Sequence, residues 1–140
     1  MQKKLVVFAG LLLVLGVLPT ISFAQRGFTE FVTEDHIKVM YRWQRASAVQ
    51  ADSDAVLGLR VTNTHTVPVK WSYSVGFYDG GVLVYQSETF ELCLNPGQSR
   101  RGSLAGLRFS VEGLTLADTQ KESFSWDFGV FDVDEVESCK

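Results

Sequence analysis

The chain has 140 residues, 46% of them hydrophobic and 21% charged, with 13 lysines and arginines against 16 aspartates and glutamates. That is the composition of one ordinary globular domain, and its aromatic content of 12% is too high for a disordered tail. Without Lys3 and Lys4 of the N-terminal segment, 11 positive side chains face 16 negative ones, a net charge near −5 that argues against a phosphate-binding surface or a nucleic-acid partner.

The first two dozen residues read as a separate unit. Lys3 and Lys4 make a short positive region, Leu5 to Leu18 is an almost wholly apolar run of 14 residues, and Pro19 breaks it before Ser22-Phe23-Ala24. This is the pattern of a secretory signal over residues 1–24, with cleavage expected between Ala24 and Gln25. As a helix the run would cover about 21 Å, short of the roughly 30 Å hydrocarbon core, so a stable membrane anchor is not expected. No cysteine follows the cleavage point to carry a lipid. Residues 25–140 are therefore expected to form a single secreted or periplasmic domain, in which Cys93 and Cys139 pair as one disulfide.

Along this domain the pattern is one of strands. Ile37, Val39, Tyr41 and Trp43 alternate with Lys38, Met40, Arg42 and Gln44; Leu57, Leu59 and Val61 alternate with Gly58, Arg60 and Thr62; Val69, Trp71, Tyr73, Val75 and Phe77 alternate with Lys70, Ser72, Ser74 and Gly76. Each is a period of two with one apolar face. Asp79-Gly80-Gly81 has the residue types that accept positive φ and should close a tight hairpin. Val82 and Val84 share a face with Gln86 and Glu88, so a break is expected near 86–88 between two short strands, the second holding Phe90, Leu92 and Leu94. Asn95-Pro96-Gly97 is a turn, followed by a strand over 99–110 that bends at Gly106. Residues 112–122 lose the alternation, with one helical turn near Thr115 to Lys121, and Phe124, Trp126, Phe128 and Val130 form a last strand before an acidic end from Asp132 to Glu137. About seven strands at roughly ten-residue spacing, with no βαβ unit, predict an all-β, immunoglobulin-like antiparallel β-sandwich.

Three stretches carry a resemblance. Leu59-Arg60-Val61-Thr62-Asn63-Thr64, Val75-Gly76-Phe77-Tyr78-Asp79-Gly80 and Leu94-Asn95-Pro96-Gly97-Gln98-Ser99 resemble the strand end, hairpin and turn of the cell-adhesion-related domain found in bacteria, an immunoglobulin-like module. Here His65 stands where that family usually has glycine, and its hairpin lacks one intervening residue. The resemblance spans residues 55–103 and implies an extracytoplasmic binding or spacer role with no catalytic residues to carry over.

Chemistry-bearing patterns are sparse. The only histidines, His36 and His65, read as solvated, and Gly97-Gln98-Ser99-Arg100-Arg101-Gly102 is one residue too long for a nucleophile elbow. There is no H-E-x-x-H motif, P-loop, CxxC pair or EF-hand, so no enzyme activity, cofactor or metal is expected. Asp52-Ser53-Asp54 and Asp132-Val133-Asp134-Glu135 are the only calcium-like groupings, and read better as solvated ends. Trp43, Trp71 and Trp126 lie on apolar faces and should be core. Tyr78 and Tyr85, off those faces, are candidates for surface contact, and Arg100-Arg101 reads as a small solvated basic spot. Counting traverses puts the 46–54 loop and the Asp79-Gly80-Gly81 hairpin at one end and the 111–122 segment, with Thr115 and Asp118, at the other. That long segment is the expected recognition element. The expected function is non-catalytic binding of a protein or cell-surface component; a small secreted enzyme inhibitor or a structural or protective protein is the alternative.

Overall fold

The computed structural model describes residues 27–140, so the expected export signal and its cleavage point at Ala24 and Gln25 lie outside the described residues. Nine strands form in chain order: β1 (Thr29–Glu34), β2 (Ile37–Arg45), β3 (Asp54–Asn63), β4 (Val69–Asp79), β5 (Val82–Gln86), β6 (Phe90–Leu94), β7 (Ser99–Arg101), β8 (Arg108–Thr115) and β9 (Phe124–Glu135). A 3₁₀ turn at Ser103–Ala105 separates β7 from β8, and one helical turn, α1 (Leu116–Thr119), precedes β9.

All pairings are antiparallel and make two sheets. In sheet A the order is β1-β2-β3, with β7 and β8 sharing the far edge of β3; in sheet B, β5 and β6 share one edge of β4 and β9 takes the other. The expected break near 86–88 is thus the gap between β5 and β6, and the expected bend at Gly106 lies between β7 and β8. Each pair is one traverse interrupted in its middle.

The apolar faces read from alternation meet between the sheets. Ile37, Val39, Leu57, Leu59 and Val61 of sheet A, and Val69, Trp71, Tyr73, Val75 and Phe77 of sheet B, are all fully buried. Trp71 stacks on Tyr73 at 4.0 Å, and Phe31 stacks on Trp126 at 4.0 Å, closing the side of the sandwich between β1 and β9. Trp43 packs against Phe77 and Phe124. The Tyr73 hydroxyl, which burial holds far from ionisation, donates across the core to the Gly106 carbonyl at 2.7 Å. Gly106 has φ +69°, and a Cβ there would stand 3.2 Å from that hydroxyl, so the bend between β7 and β8 requires glycine.

Connectivity makes the sandwich immunoglobulin-like. In immunoglobulin domains strand B pairs with E in one sheet and C with F in the other. Taking β2, β3 and β4 as A, B and C, β7 and β8 occupy E beside β3, and β9 occupies F beside β4. Two departures stand out: the β5–β6 traverse pairs with C and not with E, and β1 is added outside A.

Three turns carry the motifs of the sequence. Asp79 pairs with Val82 around Gly80 (φ +58°) and Gly81 (φ +81°), the expected tight hairpin. Asp35 (φ +49°) and His36 (φ +65°) make a second two-residue turn, between β1 and β2. At the end of β3, Asn63 is fully buried; its side-chain amide donates to the Val67 and Leu94 carbonyls, both at 3.0 Å, and its oxygen accepts from the His65 N–H at 2.9 Å. One side chain thus ties the β3–β4 connection to β6.

Cys93 and Cys139 are joined. Cys93 pairs with Lys70, whose neighbours Val69 and Trp71 face the core, so the bridge lies on the outer face of sheet B. Residues 136–139, starting from the Val136 N–H bond to the Pro68 carbonyl, carry the chain from β9 back to β6.

Candidate functional site

The segment expected to carry recognition folds as a braced structure. Thr115 caps α1: its hydroxyl accepts from the Asp118 N–H, while Asp118 accepts from both the Thr115 N–H (3.0 Å) and the Thr115 hydroxyl (2.9 Å). This reciprocal capping box satisfies donors that an isolated turn leaves open. Lys121 Nζ lies 2.9 Å from the other Asp118 oxygen. The Thr115 backbone N–H, then the Lys121 ammonium and the Thr115 hydroxyl, lower the Asp118 pKa to about 2. Because the folded value is depressed, the cap's contribution is present above the ordinary carboxylate range and lost as pH falls toward 2. Carboxyl-carbon NMR titration should give Asp118 a midpoint near 2. Lys121→Ala should raise that midpoint without restoring the ordinary value, since the larger backbone contribution remains; an unmoved midpoint would remove the lysine from the account.

The end of the sandwich on which this segment sits corrects the sequence reading. β5 and β6 are one traverse, so the 111–122 segment lies at the same end as the Asp79-Gly80-Gly81 hairpin and the 46–54 loop, not opposite them. Direct bonds tie the three, Gly80 N–H to the Ser123 carbonyl at 2.8 Å and Gly113 N–H to Asp54 at 3.0 Å, while Ala46 N–H closes the 46–54 loop on the Asp54 carbonyl at 2.8 Å. Between hairpin and segment lies a hollow of about 400 Å³. Val84, Val111, Leu114 and Phe124 supply its apolar lining, and Asp79, Glu112, Asp118 and Lys121 its polar lining. Beside it Val82, Leu83 and Val84 are 65%, 45% and 54% exposed, three consecutive aliphatic residues on a short edge strand.

Of the residues expected to make surface contact, Thr115 and Asp118 belong to this end, although their polar atoms are engaged in the cap. Tyr78 and Tyr85 are separated by a β-bulge. Phe77 pairs with Tyr85 but Tyr78 with Leu83, which leaves Val84 as an extra residue and reverses the facing of the strand. Tyr85 therefore turns inward, its ring 5.0 Å from Phe77, and burial raises its pKa; it is core edge, not contact surface. Tyr78 lies half-buried on the outer face of sheet B, where it and Leu83 close over Gly76.

His65 is not the solvated histidine expected. Its Nδ1 accepts from the Thr66 N–H at 2.7 Å, which leaves the proton on Nε2, 3.1 Å from Glu135. The His36 ring centroid stands 4.3 Å away. Ser99, in the stretch weighed as a nucleophile elbow, shares a hydrogen bond of 2.6 Å with Thr62. Asp134 lies opposite Lys70 in the β4–β9 register, and Asp54 serves Gly113; among the described residues no group of three or more His, Cys, Asp or Glu side chains could hold a metal. No helix among them is long and apolar enough to cross a membrane.

Reading Arg100 and Arg101 as an isolated basic spot misses what the sheet does with them. Register places Arg42, Arg60, Arg101 and Arg108 together on the outer face of sheet A.

The chain matches no family model, no curated protein and no solved structure.

Proposed function

We propose that this chain is an exported, non-catalytic binding module that contacts a protein or a cell-surface component through the loop end. The observation that carries the reading is the run of exposed aliphatic side chains Val82, Leu83 and Val84 beside the hollow lined by Val111, Leu114 and Phe124. Contiguous exposed apolar surface rimmed by polar groups is uncommon on a protein that works alone, and apolar anchors entering such hollows dominate protein interfaces. With Asp118 paired to Lys121, Asp79 and Glu112 leave the rim net acidic, which favours a partner segment that pairs an apolar anchor with a basic residue. The signal-like N-terminus and the disulfide support an oxidising, extracytoplasmic setting. The resemblance to the bacterial adhesion-related module points the same way.

A pull-down from the native extracellular or periplasmic fraction, run with the wild-type chain and with a Val82→Ser, Leu83→Ser, Val84→Ser variant, tests this. All three side chains are exposed, so the variant should stay folded, with a melting temperature lowered only slightly by the loss of Leu83 packing over Gly76. A specific species recovered by the wild type and lost with the variant is the expected result. Equal recovery by both would take the loop end out of the function. Recovery of a single enzyme would move the role to that of an inhibitor acting through the same surface.

A further inference from the structure

We propose that the outer face of sheet A, on the opposite side of β3 from the core, is a second binding site, for an acidic polysaccharide. The site is assembled by register. Across the sheet Arg42 of β2, Gly58 of β3 and Arg108 of β8 form one row, and Met40, Arg60 and Arg101 of β7 form the next. The flanking residues Leu57, Leu59, Val61, Leu107 and Phe109 point into the core, so the arginines of these rows point to solvent. Two strand spacings separate the outer strands, so the four arginines spring from a stretch of sheet about 10 Å across.

Gly58 has no side chain to stand between Arg42 and Arg108. The result is a hollow of about 330 Å³ that those two share with Phe28, Gln44, Leu59, Arg101 and Gly102. An adjoining hollow of about 310 Å³ is lined by Arg60, Ser99, Arg100 and Arg101. Arg42 is held with its guanidinium carbon 4.6 Å over the Phe28 ring. Among the described residues, Arg60, Arg100, Arg101 and Arg108 make no ion pair, although acidic side chains outnumber basic ones in the chain. Glu30, on the same face opposite Met40, accepts instead from Thr33. The acids gather elsewhere: Asp127, Asp132 and Asp134 lie along the outer face of sheet B. Holding Arg60, Arg101 and Arg108 without an ion pair on one face of an acidic protein costs self-repulsion that a bound anion removes.

The surroundings select the ligand class. Gln44, Thr62, Ser99 and Ser110 lie among the arginines, and the aromatic ring at the patch, Phe28, is half-buried with the Arg42 guanidinium over it, so among the described residues the face lacks the cluster of aromatic anchors on which protein interfaces depend. Nor does it offer the stacking platforms that single-stranded nucleic acids use. A stretch of sheet about 10 Å across accepts one or two oxyanions and no more, which suits a polyhydroxylated chain with carboxylates or sulfates at sugar spacing better than a densely charged duplex. Guanidinium forks match the planar carboxylate or sulfate edge, and hydroxyl and amide side chains match the sugar hydroxyls.

The test uses the disulfide-bonded chain and defined probes: a heparin oligosaccharide for sulfate, polygalacturonate for carboxylate, and neutral dextran. Double-stranded DNA, polyglutamate and vesicles of phosphatidylcholine with phosphatidylglycerol represent the other occupants. Arg60→Gln, Arg101→Gln and Arg108→Gln together should leave melting unchanged, because all three side chains are exposed. At low salt one or both acidic polysaccharides should bind and dextran should not. The triple variant should bind at least about tenfold more weakly, with a salt dependence shallower by about one in slope for each arginine lost. Arg101→Lys should weaken binding less than Arg101→Gln, since charge persists while the fork is lost. Absence of binding to both acidic polysaccharides, or equal binding by wild type and triple variant, would overturn the site. DNA, polyglutamate or vesicles binding as tightly as the polysaccharides would overturn the ligand class. Vesicle binding would point to the wholly exposed Leu104 beside the patch as a bilayer contact. None of these outcomes bears on the loop end, whose exposed valines lie on the other sheet.

Discussion

Replacing both cysteines, Cys93→Ser with Cys139→Ser, is expected to lower the stability of the domain by about 4 kcal/mol, the chain entropy that a cross-link closing 46 residues of separation removes from the unfolded state. That figure is an upper bound, since any freedom that residues 136–140 regain in the reduced native state is subtracted from it. Residues 136–140 lie beyond the last strand, and the Val136 bond to Pro68 is the one backbone bond tying them to the sheet among those outside regular structure. Without the bridge the tail should fray from sheet B while the core, formed by strands that end before it, keeps its packing. The expected readout is a melting temperature lower by on the order of 10–15 °C. Wild-type protein in reductant should match the double variant, and reductant should not lower the double variant further. A wild-type midpoint insensitive to reductant would show that the tail's contribution lies in its noncovalent contacts.

How far the fold can be read from the chain depends on where alternation survives. Each long strand has one face of Val, Leu, Ile or aromatic residues, and those faces are the core, so β2, β3, β4 and the start of β9 are legible residue by residue. β1 is not. Its sequence Thr-Glu-Phe-Val-Thr-Glu sets two apolar residues side by side, and a register shift between Glu30 and Val32 accommodates them, so no period of two is present to see. The bulge at Val84 does similar damage on a smaller scale: one extra residue reverses the facing of Tyr85, which continuous alternation puts outside. Splitting of single traverses has the widest consequence. Treating β5 and β6 as two crossings inverts the end at which every later loop falls, and so separates the 111–122 segment from the hairpin to which Gly80 binds it.

The two candidate surfaces differ in the same way. The capping box is local, three residues from Thr115 to Asp118, and its residue types are those a helix start favours. The arginine face is not local. Arg42 and Arg60 each sit on the polar side of an alternating strand, so each is recognisably outward by itself; nothing along the chain says that Arg101 will lie beside Arg60, or Arg108 two strands from Arg42. Strand order decides that, and strand order comes from three-dimensional packing. Net charge, averaged over the whole chain, hides a patch whose compensating acids lie on the other sheet.

The same dependence on nonlocal placement gives Asn63 its weight. Asn63→Ala is expected to cost about 3 kcal/mol, because the Leu94 and Val67 carbonyls and the His65 N–H lose a partner at a position with no exposed surface, each unsatisfied group costing about 1–3 kcal/mol, with water relieving the two less buried ones. A second substitution separates hydrogen bonding from packing. Asn63→Asp keeps the shape and the oxygen that accepts from His65, but sets a second carboxylate oxygen against two carbonyl oxygens where the amide donates. At pH 7 it should therefore be less stable than Asn63→Ala, an unpaired buried charge being worse than a missing group. Burial and the facing carbonyls raise the folded-state pKa of the introduced acid above its unfolded value, so the penalty is present above that raised value and fades as pH falls through it, when the protonated carboxyl can donate to one carbonyl. Urea denaturation of both variants at pH 7 and at about pH 4 should show the gap between them narrowing or reversing at the lower pH, with other carboxylates common to both cancelling in the difference. A gap that does not change with pH would mean that the amide at this position is retained for its volume, and that the tie between the β3–β4 connection and β6 rests on packing alone.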